Sequence, residues 1–518
     1  MKRSGYLFSP IKGRYKNAFR VIILLILLNL LTTLFLVYTG DSALLNGHQL
    51  TGMEIPVNGS VSLNDKEFHE TAMQQPGLTY SVAWYASLRV PGAARVDQGF
   101  VREAFDFLLP LSAMLARLGW VAGATVESVR DNGYMRDLSG EDREVLLGLL
   151  QRGLLMEQTF QRDPHTIAVV SDTPNSYRAI FGESQLKHVP YRIGRVMFET
   201  TSLPAGWVRL INLHLDEVWV PSLFEKEVFK RANVMRPITV IGEGFDPTEY
   251  LNIQTVDERN ALRIKFFPRC SEGDTIFISV GKMEQRKGFD ILGRAIKLLS
   301  TRERDEMCFY IRSGHYGTGD NPLKVIKGMR GGEGMSAAAG YKIYFLPWLS
   351  GPDLAGVYQA ADVFVLATHG EGWGRPVMET MAAGTPAIVP IWSGLSEFVK
   401  AEYSLGIAVT ETEPAFPGEP WFIGGKEGRG VHKWAKIDPA ELVDKLVWCL
   451  HNREGVRELG RRAREAMFGS FTREKVAQRV VKRLKEIETQ IERDGLEYIK
   501  FKNLRRHQRN YVVSDRDL

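Results

Sequence analysis

The chain has 518 residues and a formal net charge of +5, and 44% of its residues are hydrophobic and 25% charged. This is the composition of a folded protein of at most three domains, and it excludes a disordered or collagen-like chain. The three cysteines, Cys270, Cys308 and Cys449, lie far apart in the sequence. Their spacing predicts no disulfide framework and excludes a CxxC metal site.

The excess positive charge is concentrated at the two ends of the chain. Residues 1–20 contain six Lys or Arg and no acid, and residues 500–518 contain six cations and two acids. Because the whole chain is +5, residues 21–499 carry a net charge of −5. A mildly acidic body does not favour nucleic acid, so no nucleic-acid partner is predicted. The tail 494–518 is interpreted either as a solvated basic extension or as a contact for lipid headgroups.

Residues 21–40 form an uncharged, Leu-rich stretch. As a helix, it would span about 30 Å, the thickness of a bilayer core. A cleaved signal peptide is the less favoured alternative, because the apolar run is long and no A-x-A site follows. The basic segment 1–20 predicts a cytosolic N-terminus and a translocated remainder. We therefore expect a single-pass type II protein of the Golgi or endoplasmic reticulum, with a polar stem over residues 41–78.

Apolar runs alternate with helical patterns beyond the stem. In the first half the predicted strands are 79–85, 119–126, 165–170, 192–198 and 216–220. In the second half they are 275–280, 308–311, 342–346, 363–367, 387–390 and 406–409. This alternation is typical of parallel sheets covered by helices on both faces. It predicts an α/β protein with two Rossmann-like domains, 79–235 and 236–435, facing each other across a cleft.

Amphipathic patterns predict the helices between these strands. The main ones cover residues 99–117, 141–152, 288–300, 352–361, 376–383 and 393–400. Ser222-x-x-Glu225 is a capping-box signature that predicts another helix start. Three charged helical patterns, 438–451, 454–468 and 472–493, form a C-terminal segment 436–493 that is expected to pack back on the domains.

The segment 368–386, THGEGWGRPVMETMAAGTP, is the most informative part of the sequence. A predicted strand leads into a loop with three glycines, and a helix begins near Pro376. The glycines allow close approach of a ligand, and the free N–H groups of the helix start favour phosphate. Glu371 in the loop and Glu379 in the helix add two carboxylates. In this setting the acids are interpreted as binding groups rather than as solvated surface acids.

A second segment, 279–299, places two cations at the end of another predicted strand. Lys282 begins the loop and Lys287 ends it, just before a helix. Two cations at a strand end favour a diphosphate ligand. Met283 follows Gly281-Lys282, which excludes a P-loop.

Together these blocks resemble the GT-B glycosyltransferases of family 4 (group 1). The resemblance covers roughly residues 80–490 and extends to ITVIGEGFDP (238–247) and LPWLSGPDLAGVYQAADVFV (346–365). It implies a retaining transferase that uses a nucleotide-diphosphate sugar and needs neither cofactor nor metal. The leaving diphosphate would take the proton of the acceptor.

The resemblance also implies roles for individual residues. Lys282 and Lys287 would hold the donor diphosphate, although the first position is often Arg in the family. Glu379 would accept hydrogen bonds from the ribose. Glu371 would face the donor sugar together with the backbone N–H groups of Gly372 to Gly374.

Other residues of the expected donor pocket are placed by the same resemblance. Trp373 lies in the glycine loop, and Arg312 and Gly314 would lie near the base of the nucleotide. Ser393 would close the pocket. Gly92, in the first βα loop, would approach the diphosphate.

The first domain lacks the catalytic-loop His of many relatives. Glu199 stands in the matching stretch, either as a catalytic group in its place or as a cap of the next helix. His165 and His214 are interpreted as structural, and the terminal Asp515-Arg516-Asp517 as solvated.

The donor and acceptor are predicted only by class. GDP-mannose is the first expectation, with a UDP-linked hexose as the alternative, and the acceptor would be a glycan, a glycoprotein or a lipid. A catalytically inactive carbohydrate-binding relative is the non-enzymatic alternative. A two-carboxylate glycosidase is disfavoured because Glu371 and Glu379 belong to a nucleotide-site layout.

Overall fold

A computed structural model describes residues 80–86, 98–126, 138–158, 165–182, 184–250, 255–313, 341–347, 349–416 and 431–497. These ranges all lie in one compact unit, Ala72–Leu518. The predicted basic N-terminal tail, membrane anchor, stem and most of the C-terminal tail lie outside them, as do Gly92 and Gly314. Within the described ranges no helix has the length and hydropathy needed to cross a bilayer.

The described strands and helices alternate along the chain. The strands are β1 (Ser81–Ala86), β2 (Val121–Val126), β3 (Thr166–Ser171), β4 (Tyr191–Arg195), β5 (Glu217–Val220), β6 (Ile238–Val240), β7 (Thr275–Val280), β8 (Met307–Arg312), β9 (Ile343–Phe345), β10 (Val363–Val365), β11 (Ala387–Ile388), β12 (Thr412–Pro414) and β13 (Lys433–Ala435). The helices are α1 (Gln98–Ala116), α2 (Gly140–Glu157), α3 (Tyr177–Gly182), α4 (Ala205–His214), α5 (Leu223–Arg231), α6 (Val256–Phe266), α7 (Phe289–Leu298), α8 (Thr301–Asp305), α9 (Gly351–Ala360), α10 (Arg375–Ala382), α11 (Pro439–His451), α12 (Arg453–Ser470) and α13 (Arg473–Asp494).

The first sheet is parallel and has six strands in the order β2-β1-β3-β4-β5-β6. Every residue of β1 and β3 is buried, as expected for central strands covered on both faces. The predicted domain boundary at 235/236 lies before β6, but β6 pairs with β5 and therefore extends the first sheet to Val240. The next segment of chain, from residue 241 onward, leads to the second sheet.

The second sheet is also parallel and has the order β11-β10-β7-β8-β9. The sheet places β7 and β10 side by side, although 82 residues separate the end of one from the start of the other. The predicted strand 406–409 is reduced to an isolated bridge between Ile407 and Pro390. The predicted helix 393–400 is a short 3₁₀ turn, Ser393–Glu397.

The last helix, α13, returns to the first domain. It packs on α1, and Val480 and Leu484 are fully buried in the core beside the first sheet. At the crossover, the Arg473 backbone N–H donates to the Phe245 carbonyl at 2.8 Å. The two domains are thus joined both through the segment after β6 and through the start of α13.

Cys270 and Cys308 form a disulfide, with their Cα atoms 5.9 Å apart. The bridge joins the turn before β7 to β8. A single bridge is not a disulfide framework, so that part of the sequence prediction stands. The sequence argument also treated the cysteines as too far apart to pair, and the bridge across a separation of 38 residues corrects this. The third cysteine, Cys449, is buried and unpaired.

Candidate functional site

The two informative loops meet at the carboxyl edge of the second sheet. The loop after β7 carries Lys282 and Lys287, and the loop after β10 carries Glu371. They are adjacent because β7 and β10 are neighbours in a parallel sheet, which delivers both loops to the same edge. Gly288 permits the closest contact: its φ is +66°, and a Cβ there would lie 1.8 Å from the Ala367 carbonyl oxygen.

Lys287 and Glu371 form a buried ion pair at the centre of this edge. The Lys287 Nζ lies 2.8 Å from one Glu371 carboxylate oxygen and 2.7 Å from the other. Thr368 donates its hydroxyl to the same carboxylate at 2.9 Å. Burial raises the cost of ionising Glu371, but the charges of Lys287 and Arg286 more than offset it and lower its pKa to about 2. Glu371 is therefore a fixed anion at neutral pH.

Arg286 extends this cluster toward the first domain. Its Nη1 lies 3.2 Å from Glu371, and its Nε lies 2.9 Å from the Glu199 carboxylate. Glu199 follows β4, so this ion pair crosses the cleft. The alternative that Glu199 caps the next helix is wrong, because α4 has Pro204 at its N-cap and no side-chain capping bond.

The loop that carries Glu199 is held by a buried carboxylate from the first domain. Glu225 forms the predicted capping box with Ser222 at the start of α5. It also accepts a hydrogen bond from the Phe198 backbone N–H at 3.1 Å. Desolvation raises the pKa of Glu225 well above its usual value. A helix cap thereby also fixes the backbone next to Glu199.

Two glycines let this loop pack against the glycine loop of the second domain. A Cβ on Gly370 would lie 2.6 Å from the Glu199 carbonyl oxygen, and one on Gly372 would lie 2.7 Å from the Met197 sulfur. Ser393 adds a hydroxyl that lies 3.2 Å from the Glu199 carbonyl oxygen. These glycines were expected to admit a ligand, whereas the structure also uses them for contact between domains.

Glu379 lies in a second cluster, four residues after Arg375 on α10. Its carboxylate is 3.5 Å from Arg375 and 3.8 Å from Arg102 of α1, and Tyr358 donates its hydroxyl to it at 3.5 Å. The side chain is only 5% exposed. The expected ribose-binding acid is thus surrounded by cations from both domains.

Arg375 is the centre of that second cluster. It pairs with Asp106 of α1 and lies 3.3 Å from Glu243, in the segment after β6. Desolvation, with a smaller contribution from Glu103, raises the pKa of Glu243 to about 8. Desolvation also raises the pKa of Asp106. These carboxyls link α1 and the segment after β6 to the helix that carries Glu379.

The remaining predicted donor residues have different surroundings. Arg312 ends β8, and its carbonyl accepts from the Gly281 backbone N–H at 3.1 Å, so it lies beside the Lys282 loop. Trp373 is 2% exposed and its ring packs 4.8 Å from the Phe398 ring, so its indole lies in the core rather than in the donor pocket. Gly374 has φ +98° and forms the N-cap of α10.

Of the residues expected to be structural, His214 stacks 6.3 Å from Phe181, and burial lowers its pKa. His165 lies edge-on to Tyr80.

Sequence reasoning did not single out Arg286 or Arg375. Arg286 stands next to Lys287, so its chain position was visible, but its acceptors Glu199, Gly370 and Glu371 come from distant segments.

The described residues contain one group of side chains with metal-ligand geometry, Cys270, Asp274 and Cys308. The two cysteines in it are bonded to each other. This group is at the opposite end of β7 from the Lys282 loop, since Asp274 immediately precedes the strand. The expectation that the donor site needs no metal remains a prediction.

By sequence, the second domain is similar to a known protein family. Residues 274–416 match a family model described as Glycosyl transferases group 1. D-inositol 3-phosphate glycosyltransferase of Salinispora tropica is 31% identical over 141 residues, which are 26% of this chain and 28% of that protein. Mannosylfructose-phosphate synthase of Agrobacterium fabrum is 27% identical over 158 residues, or 30% of this chain and 33% of that protein. The chain therefore spans about a third or less of these curated relatives.

Solved structures extend the likeness to both domains, as fold alone. Sucrose-phosphate synthase from Thermosynechococcus elongatus has a TM-score of 0.55 at 17% identity, covering 79% of this chain and 99% of that one. Anabaena HepE, solved with UDP and glucose, has a TM-score of 0.53 at 14% identity, covering 79% and 100%. The fold is thus an α/β GT-B-like pair of Rossmann-like domains. The family-model match over residues 274–416 supports a relationship to the group 1 glycosyltransferases.

Proposed function

We propose that this protein is a membrane-anchored, retaining glycosyltransferase that moves a hexose from a nucleotide-diphosphate sugar to a glycan, protein or lipid. The observation that carries the proposal is the buried Lys287–Glu371 pair, which lies beside a glycine loop at the carboxyl edge of the second sheet. It falls within residues 274–416, where the family match lies. Ligands of open parallel sheets bind at this edge.

In the proposed site, Lys282 and Lys287 hold the donor diphosphate and Glu379 binds the ribose. Glu371, an anion at neutral pH, faces the donor sugar and stabilises positive charge that develops at the anomeric carbon. As the bond from that carbon to the phosphate oxygen breaks, the leaving diphosphate accepts the proton of the acceptor hydroxyl. The acceptor oxygen attacks the anomeric carbon from the face that the diphosphate leaves, so the anomeric configuration is retained. Glu199 lies at the cleft, and the reaction needs no metal.

The lumenal orientation is part of the proposal. The Cys270–Cys308 bridge supports it, because disulfides persist in oxidising compartments and are rare in the cytosol. The basic residues before the apolar stretch 21–40 favour the same orientation. Labelling of the reduced cysteine thiols in intact and in permeabilised membranes would test the orientation. Labelling that needs permeabilisation is expected, whereas labelling of intact membranes after mild reduction would place the body of the protein in the cytosol.

The donor is proposed as GDP-mannose, with UDP-linked hexoses as the alternative. One partial relative is named as a mannosylfructose-phosphate synthase and another as an inositol 3-phosphate glycosyltransferase, so the names favour no single donor. The purified full chain should be incubated with GDP-mannose, UDP-glucose, UDP-galactose and UDP-N-acetylglucosamine. Released nucleotide identifies the donor, and parallel reactions with chelator test the absence of a metal requirement.

Two variants test the assignment of the site. Glu371→Ala and Lys287→Ala should each lower nucleotide release by at least about 100-fold, the usual cost of a lost transition-state contact. Glu458→Ala, an acid exposed on α12, is the matched control. Unchanged release in both site variants would contradict the mechanism. A wild type that binds sugars but neither binds nor turns over any donor would favour the inactive carbohydrate-binding alternative.

A further inference from the structure

Arg286 joins the two domains at the site, and every nitrogen of its guanidinium group has an acceptor. Its Nε lies 2.9 Å from the Glu199 carboxylate of the first domain. Its Nη1 donates to the Gly370 carbonyl at 2.6 Å and lies 3.2 Å from Glu371, and its Nη2 donates to Glu284 at 2.6 Å. The side chain is 14% exposed.

We infer that Arg286 is a positioning residue of the donor site, which fixes the orientation of Glu371 and couples it to domain closure through Glu199. The inference rests on the proposed function and adds to it a residue and a coupling. The Arg286 guanidinium and the Lys287 ammonium both contact the Glu371 carboxylate, so two cations hold it. Glu199 then acts through Arg286.

The rigidity of Arg286 follows from its other acceptors. The Gly370 carbonyl and Glu284 both belong to the second domain and hold the guanidinium plane in place without help from the first. A planar guanidinium with fixed donors can therefore orient a carboxylate, which a single ammonium on a flexible stem does less well.

A diphosphate would compete with Glu371 for Lys287, because one ammonium has three protons and two already lie toward Glu371. Arg286 and Thr368 do not belong to the proposed diphosphate contacts. They keep Glu371 ionised and oriented when the Lys287 charge is shared with the donor. This separates the role of Arg286 from that of Lys287.

The coupling to closure follows from the positions of the acceptors. When the domains are apart, Glu199 cannot reach Arg286, and when they are together the pair is 2.9 Å long. The Glu199 backbone is itself packed against Gly370, so the side-chain contact and the backbone contact form together. Closure thereby completes the set of groups that orients Glu371.

The test uses the full chain and four variants: Arg286→Met, Arg286→Lys, Glu199→Gln and Arg461→Met. Nucleotide release is measured with the nucleotide sugar that the wild type turns over fastest. Arg286→Met should lower kcat by about 100-fold with little change in KM, because a misplaced group costs rate rather than donor binding. Glu199→Gln should lower kcat less, and Arg286→Lys should recover part of the loss. Arg461→Met, which removes an exposed arginine with two carboxylate partners on α12, is the matched control and should stay near the wild type.

A double-mutant cycle of Arg286→Met and Glu199→Gln, read by the melting temperature, tests the contact without any turnover. The double variant should lose less than the sum of the single losses, and additive losses would overturn the contact. An active wild type whose Arg286→Met variant matches Arg461→Met in kcat would overturn the inference and leave the proposed function intact. A wild type that neither binds nor hydrolyses any donor would overturn the proposed function, and the catalytic part of this inference with it.

Discussion

The cluster around Glu371 and the cluster around Arg375 are built from the same residue types, yet their carboxyl groups behave in opposite ways. Both are buried, and both join the two domains. The pKa of Glu371 is lowered to about 2, whereas burial raises the pKa of Asp106 and raises that of Glu243 to about 8. The first cluster thus favours the ionised form of Glu371, whereas the second shifts Asp106 and Glu243 toward the protonated form.

The difference comes from the number of cations that pair directly with each carboxylate. Glu371 has two cations within 3.2 Å and a hydroxyl donor. Glu243 has a direct ion pair with Arg375, which it shares with Asp106. Arg195 lowers the pKa of Glu243 only through a longer-range Coulomb interaction, and Glu103 raises it. Burial alone favours the neutral acid, and only close pairing reverses this. Paired anions therefore mark the proposed reaction centre, while under-paired acids mark the joint between the domains.

The largest effect on stability is expected at the first cluster. Lys287→Met leaves the buried Glu371 with one cation fewer, and should lower the free energy of unfolding by about 3–5 kcal/mol. The double variant Lys287→Met/Glu371→Leu should lose less, since it leaves no uncompensated acid at that position. Urea unfolding measures both. Lys265→Met, whose partner Asp353 is exposed, should cost at most about 1 kcal/mol as a control.

A smaller loss is expected at the second cluster. Arg375→Met removes the cation that Asp106 and Glu243 share, but the pKa of Glu243 is raised to about 8, so this acid can take up a proton instead of remaining charged. We expect a loss of about 2–3 kcal/mol at pH 7, from the hydrogen bonds left unmade. The loss should grow at pH 9, where protonation is harder. A loss equal to that of Lys287→Met at pH 7 would contradict the comparison.

The contact between the loops gives a third prediction. Gly370→Ala would bring a methyl group to 2.6 Å from the Glu199 carbonyl oxygen, and should cost about 2 kcal/mol by overpacking. Gly372→Ala meets the side chain of Met197, which is flexible and can move aside, so it should cost less. Melting temperatures of the two variants rank these costs. If Gly372→Ala were the more damaging, the packing of the two loops would differ from that described.

The last prediction is a slope in stability with pH. Glu243 has a folded pKa of about 8, above its ordinary value, so between these limits the folded chain binds a proton that the unfolded chain has lost. Its contribution is complete at acidic pH and is lost as the pH rises through 8, at no more than about 1.4 kcal/mol per pH unit. Glu243→Gln should flatten the wild-type decline between pH 6 and 8, measured by urea unfolding. An identical slope in both proteins would show that Glu243 does not titrate there.

Local patterns predicted much of the fold and part of the site. The apolar run 275–280 became β7 with the same bounds, because a continuous apolar run fits a strand buried on both faces. The capping box at Ser222 formed as expected, since it depends on residues three positions apart. Residues 406–409 failed as a strand because pairing, which a single run cannot encode, reduced them to one bridge.

The sequence by itself determined the two βα-repeating halves, the strand-end loops, and the positions of Lys287 and Glu371 in those loops and of Glu379 in the helix that follows. These depend on periodicity and short spacings, which a local pattern records. Only the tertiary structure decided that Arg286 would reach Glu199, that Arg375 would join α1 to α10, that Trp373 would lie in the core, and that Cys270 would bond to Cys308. Each is a contact between segments brought together by sheet order or domain closure. The free energy of such contacts depends on burial and on the charges that meet, neither of which neighbours in the sequence specify.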